Sequence, residues 1–404
     1  MPRHSRSFDE LNVMLNPKGA YLMIELPSQR HLFNIPDDIA YFNCAYNSPQ
    51  LNESRDRLHI GVDTKSKPWE RTANSFFDDA ESIRRLASSI FGGDENGYAV
   101  IPSASYGIST AARAIESTLQ SGDRIVVIDE AFPSNYLPWE RTANEANINI
   151  TVVPTPLDGD WTKAILDRIE TGVKVVAVPN CHWTNGAFIN LKVIGEACRE
   201  VNAMLVVDAT QSLAAMPLSI EEVKPDFLVA AGYKWLLCPY GFSLLYVSEQ
   251  WRNARPLEET WIARDNAKDF TALVKYSKNY QPGARRFEVG QKCTPTILPG
   301  AIAALECIKE WGVHRIAESL AKINSRISAH IENLGFQLPD ASQRCPHMFG
   351  AQLPKRYQGK LVAELMQRKI FISQRGNSVR FAPHLHITSN DIERLLEALV
   401  EIIQ

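Results

Sequence analysis

The sequence has no run of eighteen apolar residues, so no membrane-crossing helix is expected. It has no basic excess. Lys and Arg number 43 against 46 Asp and Glu, a net charge of −3, which argues against a dedicated nucleic-acid binder. It has no C-x-x-C pair: Cys44, Cys181, Cys198, Cys238, Cys293, Cys307 and Cys345 are scattered and odd in number, the usage expected of reduced thiols in a cytoplasm. No His, Cys or Asp cluster has metal-ligand spacing, so no metal site is expected. The N-terminus lacks the apolar core of a secretory signal, and a cytoplasmic location is the expectation.

What is present is ordinary globular composition, 45% apolar and 22% charged over 404 residues, enough chain for two packed domains. The organising stretch is Met204 to Gly241. Leu205-Val206-Val207 before Asp208, and Phe227 to Ala231 before Gly232, are short apolar runs without alternation, the pattern of parallel strands covered on both faces. Ligands of such sheets sit beyond the carboxyl ends of the strands, so Asp208, Gln211, Tyr233 and Lys234 are expected to face one crevice. A carboxylate under apolar walls can hold a cationic ring nitrogen, and a desolvated lysine can attack a carbonyl. Together they suit pyridoxal phosphate, with Lys234 as the Schiff-base amine and Asp208 as the ring-nitrogen partner. The bare pattern leaves another reading open, in which Asp208 caps a helix beginning at Ala209 and Lys234 is a surface lysine.

The run VVDATQS, then AGYKWL and a following Gly241, resembles the core signature of the class V aminotransferase family of fold-type I pyridoxal enzymes. Kynureninases, isopenicillin N epimerase-like proteins and cysteine desulfurases belong to the same superfamily. The resemblance runs from about Tyr41 to the C-terminus. It implies an α/β fold, with a large domain built on a mostly parallel seven-stranded sheet flanked by helices and a small α+β C-terminal domain. The expected division is an N-terminal segment, 1–45, packing on the small domain; a large cofactor-binding domain, 46–285; and the small domain, 286–404. Residues 1–38 carry little periodic signal. By analogy with the family a homodimer is expected.

The same resemblance assigns further residues. Ala104 and Ser105, between a strand and a helix start, fall where the family seats the cofactor phosphate, a place where free N–H groups and the helix dipole favour an anion. Tyr233 matches a family phosphate ligand. Phe132 falls at the position that stacks on the cofactor ring, and Gln211 and His182 at positions that approach its phenolic oxygen; Asn180 stands where epimerase-like members have His. Arg380 resembles the arginine that takes the substrate carboxylate, a role suited to its two-pronged fork. Arg375 is a second candidate, and Tyr46 and Asn47 lie in a segment like the one lining the family's substrate pocket. Gly290-Gln291 replaces the usual Gly-Thr, which puts a cross-subunit phosphate contact in doubt.

An enzyme acting on a small amino acid is therefore expected, as an aminotransferase or as a hydrolytic, lyase or epimerase relative. A non-catalytic binding or regulatory protein is a further alternative, against which retention of Lys234 and Asp208 weighs. Persulfide-forming desulfurase chemistry is not expected, because the stretch Ser373 to Ser378 before Arg380 contains no cysteine. The heptapeptide PWERTAN occurs at Pro68 to Asn74 and again at Pro138 to Asn144, without the further copies that would mark a repeat fold.

Overall fold

The computed structural model describes residues 25–403. Strand β1 (Ala40–Tyr41) comes first. Seven strands then build the central sheet: β2 (Tyr98–Ile101), β3 (Arg124–Ile128), β4 (Asn149–Val153), β5 (Val173–Pro179), β6 (Met204–Asp208), β7 (Phe227–Ala231) and β8 (Ser243–Val247). Their order is β2-β8-β7-β6-β5-β3-β4, and only β8 runs antiparallel to its neighbours. The mostly parallel seven-stranded sheet expected from the resemblance is therefore present.

The apolar runs follow from burial on both faces. In β5, Val175 and Ala177 join the cluster on one side while Val176 and Val178 join the other, so the middle of the strand has no position free to be polar, and its one charge, Lys174, sits near the strand's start. One face is covered by the helices Ala104–Ile115 and Leu137–Ala146. The other is covered by Asp78–Phe91, Leu191–Glu200 and Leu298–Trp311. Gly107 lets the helix Ala104–Ile115 lie close on the sheet: a Cβ there would stand 2.8 Å from the Val229 methyls.

The C-terminal strands are β9 (Phe349–Gln352), β10 (Ile370–Phe371), β11 (Ser373–Arg375) and β12 (Ser378–Phe381). β11, β12 and β9 form an antiparallel sheet, and β10 pairs in parallel with β1. Ala40 and Phe42 share a core with the helices Leu361–Gln367 and Ser389–Ile403. The helix Val313–Asn333 ties the two halves together, placing Ile316 and Leu320 in the core below the large sheet and Ile327 and Ile331 in the C-terminal core. Among the described residues no helix is long and apolar enough to cross a membrane.

A buried ionic network fastens the segment after residue 280 to the large sheet. Glu288 is fully buried and takes Arg84 and Lys292 as ion partners, with Val100 N donating to it at 3.1 Å. Arg84 and Arg285 also meet on Glu81, at 3.0 and 2.6 Å.

The rival reading of Asp208 as a helix cap fails. No helix begins at Ala209; the chain turns repeatedly from Thr210 to Met216, stabilised by bonds such as Ser212 N to Ala209 O at 3.0 Å. Ala231 N donates to Thr210 Oγ1 at 3.1 Å, drawing the chain across the end of β7 instead of along a helix axis.

Candidate active site

The ends of β6 and β7 bring Asp208 and Lys234 into one cleft of about 250 Å³. Asp208 is 8% exposed, and Thr210 N donates to its Oδ1 at 3.0 Å. Burial pushes its carboxyl up, against the opposing pull of Thr210 and of the Lys234 charge. Lys234 is 7% exposed. Burial brings its amine down to about 8, Asp208 resists, and the Arg380 and Arg375 charges add to the fall. A wider groove of about 760 Å³ lies between Phe91, Leu191, Met216 and Val313, but it holds neither group, so size does not locate the chemistry.

On one wall Ser103 caps the helix Ala104–Ile115, its hydroxyl accepting from Tyr106 N at 3.1 Å. Ala104 and Ser105 are the first two residues of that helix and line the cleft, and Ser105 Oγ donates to Ser134 Oγ at 2.7 Å. Phe132 faces the amine, with Lys234 Nζ 5.6 Å from its ring centroid. Tyr233 lies against Tyr240 with ring centroids 4.4 Å apart. Its carbonyl accepts from Ser48 N and Oγ at 3.0 and 3.1 Å, which anchors the N-terminal segment beside the site. Gln211 also lines the cleft, yet both ends of its amide are engaged: Nε2 donates to Ala45 O and Oε1 accepts from Trp235 Nε1, each at 3.0 Å.

Other sequence-derived candidates sit differently. His182 is not among the residues lining the cleft. Its ring stacks on Trp161 at 5.1 Å, its Nε2 lies 3.4 Å from Asp129 O and its Nδ1 2.8 Å from Thr184 Oγ1. Burial lowers its pKa, so the ring is held neutral. Arg380 is completely buried, donates from Nη1 to Trp183 O at 2.5 Å, and keeps Nε and Nη2 enclosed without a partner. Burial and the neighbouring Arg375 charge bring it down to about 9. Arg375 is half-exposed and lies over the Trp183 ring, 5.9 Å from its centroid. Tyr46 and Asn47 are exposed and outside the cleft lining; Asn47 O accepts from Tyr41 Oη at 2.6 Å.

Cleft residues not singled out from the sequence include Cys181, Trp183, Thr210 and Tyr240. Trp183 is fixed by its Nε1 donating to Glu130 O at 2.7 Å and by an edge-to-face contact with Phe132 at 5.4 Å. The signal was in the chain: past a strand end successive side chains still alternate, so a His182 turned inward sends Cys181 and Trp183 to the cleft.

A buried lysine and a buried carboxylate at adjacent strand ends of a mostly parallel sheet, beside a helix start, define an α/β protein of the pyridoxal-enzyme type. The class-V aminotransferase family model matches residues 67–392, and the chain belongs to that family. It is 23% identical over 341 residues to a probable cysteine desulfurase of Pyrococcus abyssi, covering 80% of this chain and 83% of the relative. It is 25% identical to the uncharacterized aminotransferase YcbU of Bacillus subtilis, covering 79% and 82%. Among solved structures it resembles the apo cysteine desulfurase of Thermococcus onnurineus, with a TM-score of 0.79 at 18% identity over 94% of this chain and 98% of that one. It also resembles the cystine C–S lyase C-DES in complex with its product cysteine persulfide, at a TM-score of 0.80 and 17% identity over 91% and 98%. These likenesses bear out the fold-type I resemblance read from the sequence.

Proposed function

We propose that the protein is a pyridoxal-phosphate-dependent enzyme acting at the Cα of a small amino acid, as an aminotransferase. The observation that supports this most is the meeting of Lys234 and Asp208 in one cleft, both buried, with the amine down to about 8. The cleft's donor set fits the cofactor: a capped helix start for its phosphate at Ser103 to Ser105, the Phe132 ring for its face, and the Asp208 carboxylate for its ring nitrogen. When bound, pyridoxal phosphate supplies an electron sink for the pair left at Cα.

The chain's own residues supply the rest. An amine near 8 is partly neutral at neutral pH, which lets Lys234 hold the cofactor's aldehyde carbon and take or return the Cα proton. Asp208 stays charged against a cation, and Thr210 N fixes its orientation. Arg380 holds two unpartnered donors, an unmet demand that a substrate carboxylate would satisfy once it displaces the Trp183 carbonyl; Arg375 is the accessible guanidinium beside it. A homodimer belongs to the same proposal and is read by sedimentation.

The test is an amino-acid panel on the cofactor-loaded protein. Transamination predicts that one amino acid converts the cofactor to its amine form and that a keto acid restores it. A second reading, C–S lyase chemistry, is favoured by the names of the relatives; it predicts pyruvate and ammonia, with sulfide released from cysteine or cysteine persulfide from cystine, and no keto-acid-reversible step. Kynureninase- or epimerase-type chemistry draws support from Phe132 and the Trp183 segment, and the same panel reads it as hydrolysis or loss of chirality.

A further inference from the structure

Cys181 takes no part in the chemistry argued so far, and it does not stand alone. Isolated bridges pair Cys181 with Phe188 and Ala187 with Arg344, which lays Cys345 against the turn that carries Cys181. Cys345 N donates to Gly186 O at 2.8 Å, and Cys345 Sγ lies 3.8 Å from the carbonyl oxygens of Asn180 and Ala187. Asn180 directly precedes Cys181, so the contact of its carbonyl with Cys345 Sγ makes the two cysteines neighbours across the paired segments. Cys181 lines the cleft and Cys345 does not, so a small solute entering the cleft meets Cys181 first.

The two sulfurs also differ in character. Burial would raise the Cys181 thiol, yet hydrogen bonding from Cys345 and His347 and the charges of His347 and Arg380 outweigh it and hold the thiol below its usual range. Burial pushes up each of the other six, Cys345 included. A thiolate attacks and a neighbouring thiol resolves, which is the arrangement of an oxidisable pair.

We propose that Cys181 and Cys345 form an oxidation site in the cleft wall, which hydrogen peroxide converts to a disulfide. In the first step the Cys181 sulfur attacks the peroxide oxygen, the O–O bond breaks, and the leaving oxygen takes a proton to depart as water. Cys181 is then a sulfenic acid. In the second step the Cys345 sulfur attacks the Cys181 sulfur, the S–O bond breaks, and the hydroxyl leaves with the Cys345 proton as a second water. Two thiols are oxidised by two electrons and one peroxide is reduced to two waters. The bond ties the turn after β5 to the segment before β9, and it removes the Cys181 negative charge that Lys234 senses. The site does not depend on the reaction proposed above, because its product is read by mass.

The experiment uses the full chain loaded with pyridoxal phosphate. It is treated with hydrogen peroxide, unfolded, alkylated and mapped by peptide mass spectrometry. The expected result is a linked Cys181–Cys345 peptide pair as the main oxidised thiol species, reversed by dithiothreitol, with the other five thiols still alkylated. In C345S a 1,3-dione should label Cys181 as its sulfenic acid. Both thiols remaining alkylatable while methionines oxidise would overturn the proposal, as would a linkage between other cysteines or over-oxidation of Cys181 without the link. The wild-type map decides the matter whether or not the variant folds.

Discussion

Two lysines of this protein are buried beside carboxylates, and they are built for opposite purposes. Lys292 is fully enclosed and ion-paired to Glu288, which also takes Arg84 and a backbone N–H; two cations sit on one carboxylate, and Glu81 balances the cluster from the other side. Burial raises the Glu288 carboxyl, but Arg84 and Lys292 overcome it and hold the group charged. Lys234 has Asp208 in the same cleft without a direct ion pair among those formed, and the charges of Arg380 and Arg375 oppose its protonation. The first lysine is satisfied and structural. The second is left hungry for a partner, the condition in which a buried lysine becomes reactive.

Replacement of each group should separate the two sites. The largest effect is expected for K234A: turnover should fall by about 10⁴ or more with the fold intact, measured as steady-state rate beside circular dichroism. Substantial activity in this variant would remove Lys234 from the chemistry. Next is E288Q, which strips Lys292 of its carboxylate and leaves Arg84 with Glu81 alone; a loss of about 3–5 kcal/mol is expected from urea unfolding. A shift below about 1 kcal/mol would show that the network is not structural.

The same substitution at the two lysines should then give opposite signs. K292M should destabilise, because it strips a partner from a buried carboxylate. K234M should stabilise the cofactor-free protein at pH 7 by up to about 3 kcal/mol, since a fall from 10.5 to about 8 is a burial penalty that methionine does not carry. Equal signs would erase the distinction.

The smallest expected effect is in pH. Between about 8 and 10.5 the unfolded lysine binds a proton that the folded Lys234 has released, so stability of the cofactor-free protein should rise with pH across that window. The contribution should amount to at most about 1.4 kcal/mol per pH unit, and it should be missing from K234M. An identical profile in both proteins would count against a depressed Lys234.

The parts of this arrangement that the sequence displays are those set by local pattern. Val206-Val207 and Phe227 to Ala231 read as covered strands because both their faces are buried, and the amphipathic helix Ser389–Ile403 falls where its apolar spacing puts it. Orientation was harder to see. His182 was expected in the site, but the residue period of the extended chain turns it onto Trp161 and gives the cleft Cys181 and Trp183. The turns after Asp208 depend on Thr210 bonding across to Ala231, a contact between segments distant in sequence. The twin PWERTAN copies make the same point. Both carry proline in the first turn of a helical segment, but the first is a 3-10 turn with Trp69 78% exposed, and the second lies in the helix Leu137–Ala146 with Trp139 fully buried. Identical heptapeptides part company because only one has a sheet to pack on.

The measurement closest to the central claim is borohydride reduction of the protein mixed with pyridoxal phosphate, followed by peptide mapping of every lysine. The account predicts cofactor fixed covalently on Lys234, none on Lys292, and no stoichiometric label in K234A. Label spread over surface lysines, or a protein that takes up no cofactor, would contradict it.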